Sequence, residues 1–317
     1  MKIPDPKISI VVPCFNEEEA LPAYYKAMKP IMDAVPAQWD LILVDDGSSD
    51  HTLEVMRDLA EKDSRVSYYS FSRNFGKEAA MLAGLQHADG DYVGLMDADL
   101  QDPPEMLPQM LDILQKDDSV YDCVGTRRTD RRGEPPVRSF FARRFYKLIN
   151  KISKAEIVDG ARDFRLMSRR MVSAILSMAE YNRFSKGIFG WVGFKTCWLE
   201  YINRERVAGK TKWSFFKLFL YSIDGITAFS TAPLAVPSIL GTVSGAVSVL
   251  YLLAFLIRSF VTGDPVPAAR VILFAVLFLG GAILLSIGIL GQYLSKTYLE
   301  VKNRPVYILK EEKKSGK

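Results

Sequence analysis

Val93-Gly94-Leu95-Met96-Asp97-Ala98-Asp99-Leu100-Gln101-Asp102 is the stretch on which the reading of this chain turns. Its first half is a short apolar run of strand type, and its second half carries two carboxylates one residue apart at the polar end. Hard oxygen donors in that spacing suit Mg²⁺ or Mn²⁺ carrying substrate phosphates. Ligands of open α/β sheets bind beyond the carboxyl ends of the strands, which is where these side chains would stand.

Working outward, residues 8–13, 41–45, 66–71 and 92–97 read as strands, and 17–35, 50–62 and 75–87 have helical spacing between them. The alternation predicts repeated βα units and a mainly parallel sheet. Other polar residues fall at the same end of the predicted strands: Asn16 and Glu18 after the first, Asp45 and Asp46 after the second. A carboxylate there can accept from a base N–H or a ribose hydroxyl, the role expected of Asp45. Asp50 is expected to cap the following helix. Neither GxGxxG nor GxxxxGK[ST] occurs, so any phosphates need another source of positive charge.

The 317 residues are 49% hydrophobic, and the apolar ones are unevenly spread. Residues 232–257 and 271–294 contain no Asp, Glu, Lys or Arg. Each exceeds the roughly 20 residues a helix needs to cross a ~30 Å hydrocarbon core. They predict a two-helix transmembrane hairpin over 232–294, turning at Gly263-Asp264-Pro265. Lysines and arginines flank both outer ends of the hairpin, which by the positive-inside rule puts them, and the large N-terminal domain, in the cytoplasm. No apolar stretch of signal-peptide type precedes the first strand. Within the first span, Gly241 and Gly245 have GxxxG spacing, which favours close helix packing inside the hairpin or between copies of the chain. Cys14, Cys123 and Cys197 lack metal or disulfide spacing, and two histidines exclude a multi-histidine centre.

Residues 127–154 hold ten basic and two acidic side chains, interleaved with Phe140, Phe141, Phe145 and Tyr146. Together with the spans, this favours an interfacial helix on anionic lipid over a solvated basic face or a nucleic-acid surface. A second basic patch, residues 204–213, precedes an apolar juxtamembrane segment at 214–231. The expected domains are therefore 1–213, 214–231, 232–294 and a basic cytoplasmic tail at 295–317.

The ordered set VVPCFNEE, LVDDGSSD, DADLQDPPE, DFRLMSRR and RVAGKTKW resembles the inverting family 2 glycosyltransferases of GT-A fold. More narrowly it is similar to the polyisoprenyl-phosphate glycosyltransferases, which include dolichol-phosphate mannose synthases and bactoprenol glucosyltransferases. The resemblance covers residues 8 to about 213 and implies a GT-A, Rossmann-like α/β domain, followed here by amphipathic interfacial helices and the hairpin. It implies nucleotide contacts at Pro13, Asn16, Glu18 and Asp46, with Asp45 beside them. It also implies a divalent-metal and diphosphate site at Asp97, Asp99 and Gln101. Arg127 corresponds to a position near a substrate phosphate, and Arg206 and Arg138 are candidates for the acceptor phosphate. Asp163 matches the family's catalytic aspartate through Phe164-Arg165-Leu166. One extra residue separates it from Asp159, which stays a second candidate.

The activity so implied is inverting transfer of a hexose, glucose from UDP-glucose foremost, to undecaprenyl phosphate at the cytoplasmic leaflet of a bacterial plasma membrane. Mg²⁺ or Mn²⁺ is the expected cofactor; a homo-oligomer is left open, and no nucleic-acid partner is expected. An ionised lipid phosphate attacks without first losing a proton, so Asp163 is expected to orient or stabilise charge as readily as to act as a base. The alternatives are a GDP-mannose-dependent enzyme of the same type and an inactive anionic-lipid-binding membrane protein. A processive polysaccharide synthase is disfavoured because Gln-x-x-Arg-Trp is absent.

Overall fold

β1 (Lys7–Cys14), with the sequence KISIVVPC, is buried along nearly its whole length and lies between β2 (Gln38–Asp45) and β4 (Tyr92–Leu95), parallel to both. A central parallel strand has helices on both faces, hence its unbroken apolar run. On one face Ile8, Ile10 and Val12 join a core with Tyr24 and Met28 of α1 (Ala20–Asp33), Met56 of α2 (Thr52–Lys62) and Met110 of α4 (Leu107–Gln115). On the other lies α3 (Lys77–His87), whose Ala79, Ala80, Ala83 and Gly84 are buried. Small residues let it approach closely: a Cβ at Gly84 would stand 2.1 Å from Val11 Cγ1.

The computed structural model describes residues 3–116, 119–128, 144, 147, 149–152, 158, 160–201, 223, 225–262 and 268–314. Arg138, Asp159 and Arg206 lie outside the described residues, as do most of 127–154 and much of 214–231.

With β3 (Val66–Phe71), β5 (Cys123–Arg128), β6 (Ala161–Ser168), β7 (Thr196–Tyr201) and β8 (Leu309–Lys313), the sheet runs β7-β5-β6-β4-β1-β2-β3-β8. The first four strands form the expected parallel block. The remainder makes the sheet mixed, because β6 is antiparallel to both β4 and β5, and β8 is antiparallel to β3. α5 (Arg169–Leu176) and α6 (Ser185–Trp191) follow β6.

β8 corrects the expectation of a simple basic tail. The segment LKEEK has no β-branched or aromatic residue, so its local signal is weak, but charge suits an edge strand. Arg57 forks onto Glu311 at 2.9 and 2.6 Å, the Tyr68 hydroxyl donates to Glu311 Oε1 at 2.6 Å, and Tyr307 stacks on Phe71 with ring centres 4.8 Å apart.

The chain divides into two units, residues 1–225 with 304–317, and residues 226–303. The second holds α7 (Ala232–Thr262) and α8 (Ala268–Val301), which extend past the expected spans. Large apolar side chains along them stand in the open, Leu250 at 66% and Leu284 at 72% exposure among them. Among the described residues, Phe278–Val301 is long and apolar enough to cross a membrane, and Ala232–Val247 is a shorter apolar stretch. Among the described residues, a Cβ at Gly241 or Gly245 would meet nothing within 4 Å.

Candidate active site

β1 has β2 on one side and β4 on the other, so the strand order reverses there and a crevice opens beyond the strand ends. Pro13 stands on β1 just past Val11, whose pairing with Leu95 is the last between β1 and β4. It has no N–H to present at that opening.

The two loops beyond β1 and β2 hold each other. Asn16, at φ 52°, donates its N–H to Ser48 Oγ at 2.9 Å and accepts from the Ser49 N–H at 2.9 Å. Glu18 accepts from the His51 N–H at 2.9 Å. Asp50 takes the Thr52 N–H at 3.1 Å and hydroxyl at 2.6 Å from one residue ahead of the N-cap position, which His51 occupies, so the expected cap is displaced by one residue.

Asp45 is 1% exposed, and its two oxygens accept from the Ser48 N–H at 2.9 Å and the Ser70 hydroxyl at 2.7 Å. The carboxylate expected to meet a ligand also closes this turn. Asp46 also faces inward, accepting from the Phe75 N–H at 2.7 Å and the Gly76 N–H at 3.0 Å. Burial pushes its carboxyl up to about 6, against the pull of those amides. Gly47, at φ +66°, permits this contact, since a Cβ would lie 2.4 Å from the Arg73 carbonyl carbon. Asp46 thereby fixes residues 75–76, and with them Lys77 at the start of α3.

Lys77 is the centre of the site. Its ammonium lies 2.6 Å from Asp97 Oδ1 and 2.6 Å from Asp163 Oδ2. Strand register explains the meeting: Leu95 of β4 pairs with Arg165 of antiparallel β6. Two residues after Leu95 and two before Arg165, Asp97 and Asp163 arrive opposite one another. Burial pushes the Asp163 carboxyl up, and Lys77, with Lys186 and Arg165, more than reverses this and holds it well below the usual carboxylate range. Burial likewise opposes the Lys77 charge, while Asp163 and Asp97 outweigh it and raise the ammonium above its ordinary value.

Further contacts hold this centre. Glu78 accepts from the Ser185 N–H at 3.1 and 3.0 Å, tying α3 to the start of α6. Arg165, 2% exposed, donates to the backbone carbonyls of Asp163 at 3.2 Å and Arg162 at 2.9 Å and lies 3.5 Å over the Phe189 ring. It is a buried residue of β6. Arg162 reaches Asp102 Oδ1 at 3.1 Å and Gln101 Oε1 at 3.3 Å, and the Tyr201 hydroxyl also donates to Asp102. Burial raises the Asp102 carboxyl in spite of Arg162.

Leu100, at φ 55°, makes the turn between Asp99 and Gln101, and the Gln101 N–H donates to Asp99 Oδ1 at 3.1 Å. A leucine in the left-handed region is strained, as is common where a loop is held for function.

Of the residues singled out from sequence, Asp97 and Asp163 converge, with Asp99 and Gln101 on the adjoining turn. Asn16, Glu18, Asp45 and Asp46 shape the neighbouring loops through the contacts above. Arg127 pairs with Glu200, its register neighbour on β7. Lys77, Glu78 and Arg162 were missed. The one local signal for Lys77 was its place directly after Gly76 at a helix start, and a lysine there reads as an ordinary solvated residue.

The donor set favours a metal ion that arrives with phosphates. Asp97 and Asp99 offer hard oxygens, those of Asp97 shared with the Lys77 ammonium at 2.6 and 2.9 Å, and the side-chain oxygen of Gln101 accepts from Arg162. Among the described residues no cluster of three or more His, Cys, Asp or Glu forms an all-protein cage. Mg²⁺ and ions like it commonly take one or two carboxylates plus substrate phosphates.

Residues 9–176 match the family described as Glycosyl transferase family 2. The chain is 44% identical over 305 residues to the SfII prophage-derived bactoprenol glucosyl transferase of Shigella flexneri, covering 96% of this chain and 98% of that one. It is 42% identical over 308 residues to the prophage bactoprenol glucosyl transferase homolog of Escherichia coli (strain K12), covering 97% and 100%. Among solved structures, mannosyl-3-phosphoglycerate synthase from Rubrobacter xylanophilus is similar in fold at a TM-score of 0.50 and 16% identity, covering 70% of this chain and 72% of that one. A sheet with its switch point beside Asp97 and Asp99, and likeness along nearly the whole length, lead to one assignment: the chain is a glycosyltransferase that belongs to glycosyl transferase family 2, in the group that contains the bactoprenol glucosyl transferases.

Proposed function

We propose that this chain transfers glucose from UDP-glucose to undecaprenyl phosphate, with inversion, at the cytoplasmic leaflet. The observation that carries the reading is the bridge at Lys77, which holds Asp97, the candidate for the donor diphosphate and metal, and Asp163, the candidate catalytic aspartate, about one ammonium. The names of the bactoprenol glucosyl transferases that it resembles along nearly its whole length supply the sugar and the lipid class.

In the proposed reaction an oxygen of the acceptor phosphate forms a bond to sugar C1 as the bond from C1 to the donor's β-phosphate oxygen breaks. The bonding pair leaves with UDP, and in-line approach inverts C1. A phosphate monoester, with a second pKa near ~6, is already mostly ionised at pH 7, so no proton need be removed. Mg²⁺ or Mn²⁺, held by Asp97 and Asp99, would neutralise charge growing on the departing diphosphate. Lys77 adds positive charge on the same side. Asp163, kept ionised by Lys77, is suited to stabilising positive charge at C1 rather than to accepting a proton. The Asp46 network holds Lys77 in place, and Arg165 anchors the Asp163 backbone, so the geometry is set before substrate binds.

Chain connectivity supports the proposed membrane arrangement. Residues before and after the helices belong to one sheet, which requires an even number of crossings. The basic flanks favour the cytoplasmic side for that sheet.

The test supplies the full chain in detergent with undecaprenyl phosphate, Mg²⁺ or Mn²⁺, and labelled UDP-glucose or GDP-mannose in parallel. Glucosyl lipid, lost on chelation and in Asp99→Ala with the protein still folded, is the expected result. Mannosyl lipid alone would replace the donor assignment. Absence of any lipid-linked product with a full set of nucleotide sugars would favour an inactive lipid-binding protein.

A further inference from the structure

A cavity of ≈ 310 Å³ is lined by Arg165 of β6, Lys186 and Phe189 of α6, Phe194 and Lys195 just ahead of β7, and Trp198 within β7, among others. Its floor follows from register, because Arg165 and Trp198 both pair with Gly125 of β5. With no side chain at Gly125, the Trp198 ring lies over it, 2.9 Å from where a Cβ would be.

The chemistry of the lining is two-sided. Arg165, Lys186 and Lys195 give it three cations, and no acidic side chain lines it among the described residues. Lys186 and Lys195 have no carboxylate within ion-pair distance among those residues, in contrast to Lys77. Phe189, Phe194 and Trp198 supply flat apolar walls. A free sugar would leave the cations without a partner, and a plain hydrocarbon would bury them.

We propose that this cavity receives the phosphate and first isoprenyl unit of the lipid acceptor, the cations taking the anion and the aromatic walls the hydrocarbon. The inference rests on the transferase reading and adds the place from which the acceptor meets the sugar. Two features tie the place to the reacting centre. Arg165 donates to the Asp163 carbonyl at 3.2 Å, and Lys186 follows Ser185, which is held by Glu78 next to Lys77. The volume lies at the lower end of the roughly 300–1,000 Å³ of small-molecule sites. It accommodates a headgroup and the start of the chain, so the rest of the lipid must extend outside.

The experiment titrates the full chain in detergent with farnesyl phosphate, farnesol or inorganic phosphate, following tryptophan fluorescence, with Trp198→Phe to identify the signal. Farnesyl phosphate is expected to saturate a Trp198-dependent change and to bind at least about tenfold more tightly than either fragment, since it alone uses both halves of the lining. Lys195→Glu, at an exposed position, and Lys186→Met should each weaken it by about tenfold. Each should raise the acceptor KM by a similar factor and leave the UDP-glucose KM within about twofold.

Equal binding of inorganic and farnesyl phosphate, a signal that survives in Trp198→Phe, or unchanged acceptor KM in both lysine variants would overturn the assignment. The last result, with glucosyl lipid still formed, would leave the transferase reading standing. A chain that makes no lipid product but binds farnesyl phosphate in a lysine-dependent way would uphold the cavity and remove the reaction.

Discussion

Lys77 makes two acidic motifs, 66 residues apart in sequence, into one centre. Lys77→Met should lower kcat/KM by about 10²–10³-fold, the scale of losing one aligned charge donor. Lys77→Arg should recover part of it; steady-state assays with folding checked by circular dichroism decide, and full activity in Lys77→Met would remove its role. Asp46 makes a different prediction, because its carboxyl sits near 6 in the fold against about 3.9 in an unfolded chain. The folded state then binds the extra proton between those values, so this group's contribution to stability falls as pH rises from about 4 to about 6. Asp46→Asn should flatten that part of the curve relative to the parent, read from denaturant midpoints at each pH. The acidic residues were legible in sequence because they sit at the ends of recognisable strands. Their division of labour was not: Asp45 and Asp46 look alike in the sequence, yet the first closes a turn onto Ser70 and the second grips the amides ahead of Lys77.

Among elements, β1 to β4 were readable because buried parallel strands are apolar along their length. β4 ends at Leu95, and Met96 still donates to the Val11 carbonyl at 3.0 Å, so the expected strand end at Asp97 was two residues long. β8 escaped because edge pairing satisfies backbone groups without an apolar pattern. Arg57, and then Tyr68, hold the Glu311 carboxyl down to about 2. Folded below unfolded means that the stabilisation is present above about 4.3 and lost as pH falls through about 2. Glu311→Ala should remove roughly 1–2 kcal/mol at neutral pH. It should also speed amide exchange in β3 and β8 selectively; unchanged exchange there would mean that the strand is held by backbone pairing and the Tyr307 stack alone.

For the whole molecule, the open question is which side of a membrane each part faces. The sheet takes strands from both sides of α7 and α8, so the N-terminal domain and the C-terminus should share a side. In inside-out vesicles protease should reach both and spare residues 263–267; in right-side-out vesicles the pattern should reverse. Termini on opposite faces would rule out the hairpin. The sequence by itself determined the α/β class and the apolar helices, because these depend on local pattern, and it offered the carboxylates at 97 and 99 by their spacing and that at 163 by resemblance. Only the tertiary structure decided that Lys77 lies between Asp97 and Asp163, that Asp45 turns inward and that the tail joins the sheet. Those outcomes depend on antiparallel register and on contacts between distant segments, which no local periodicity encodes.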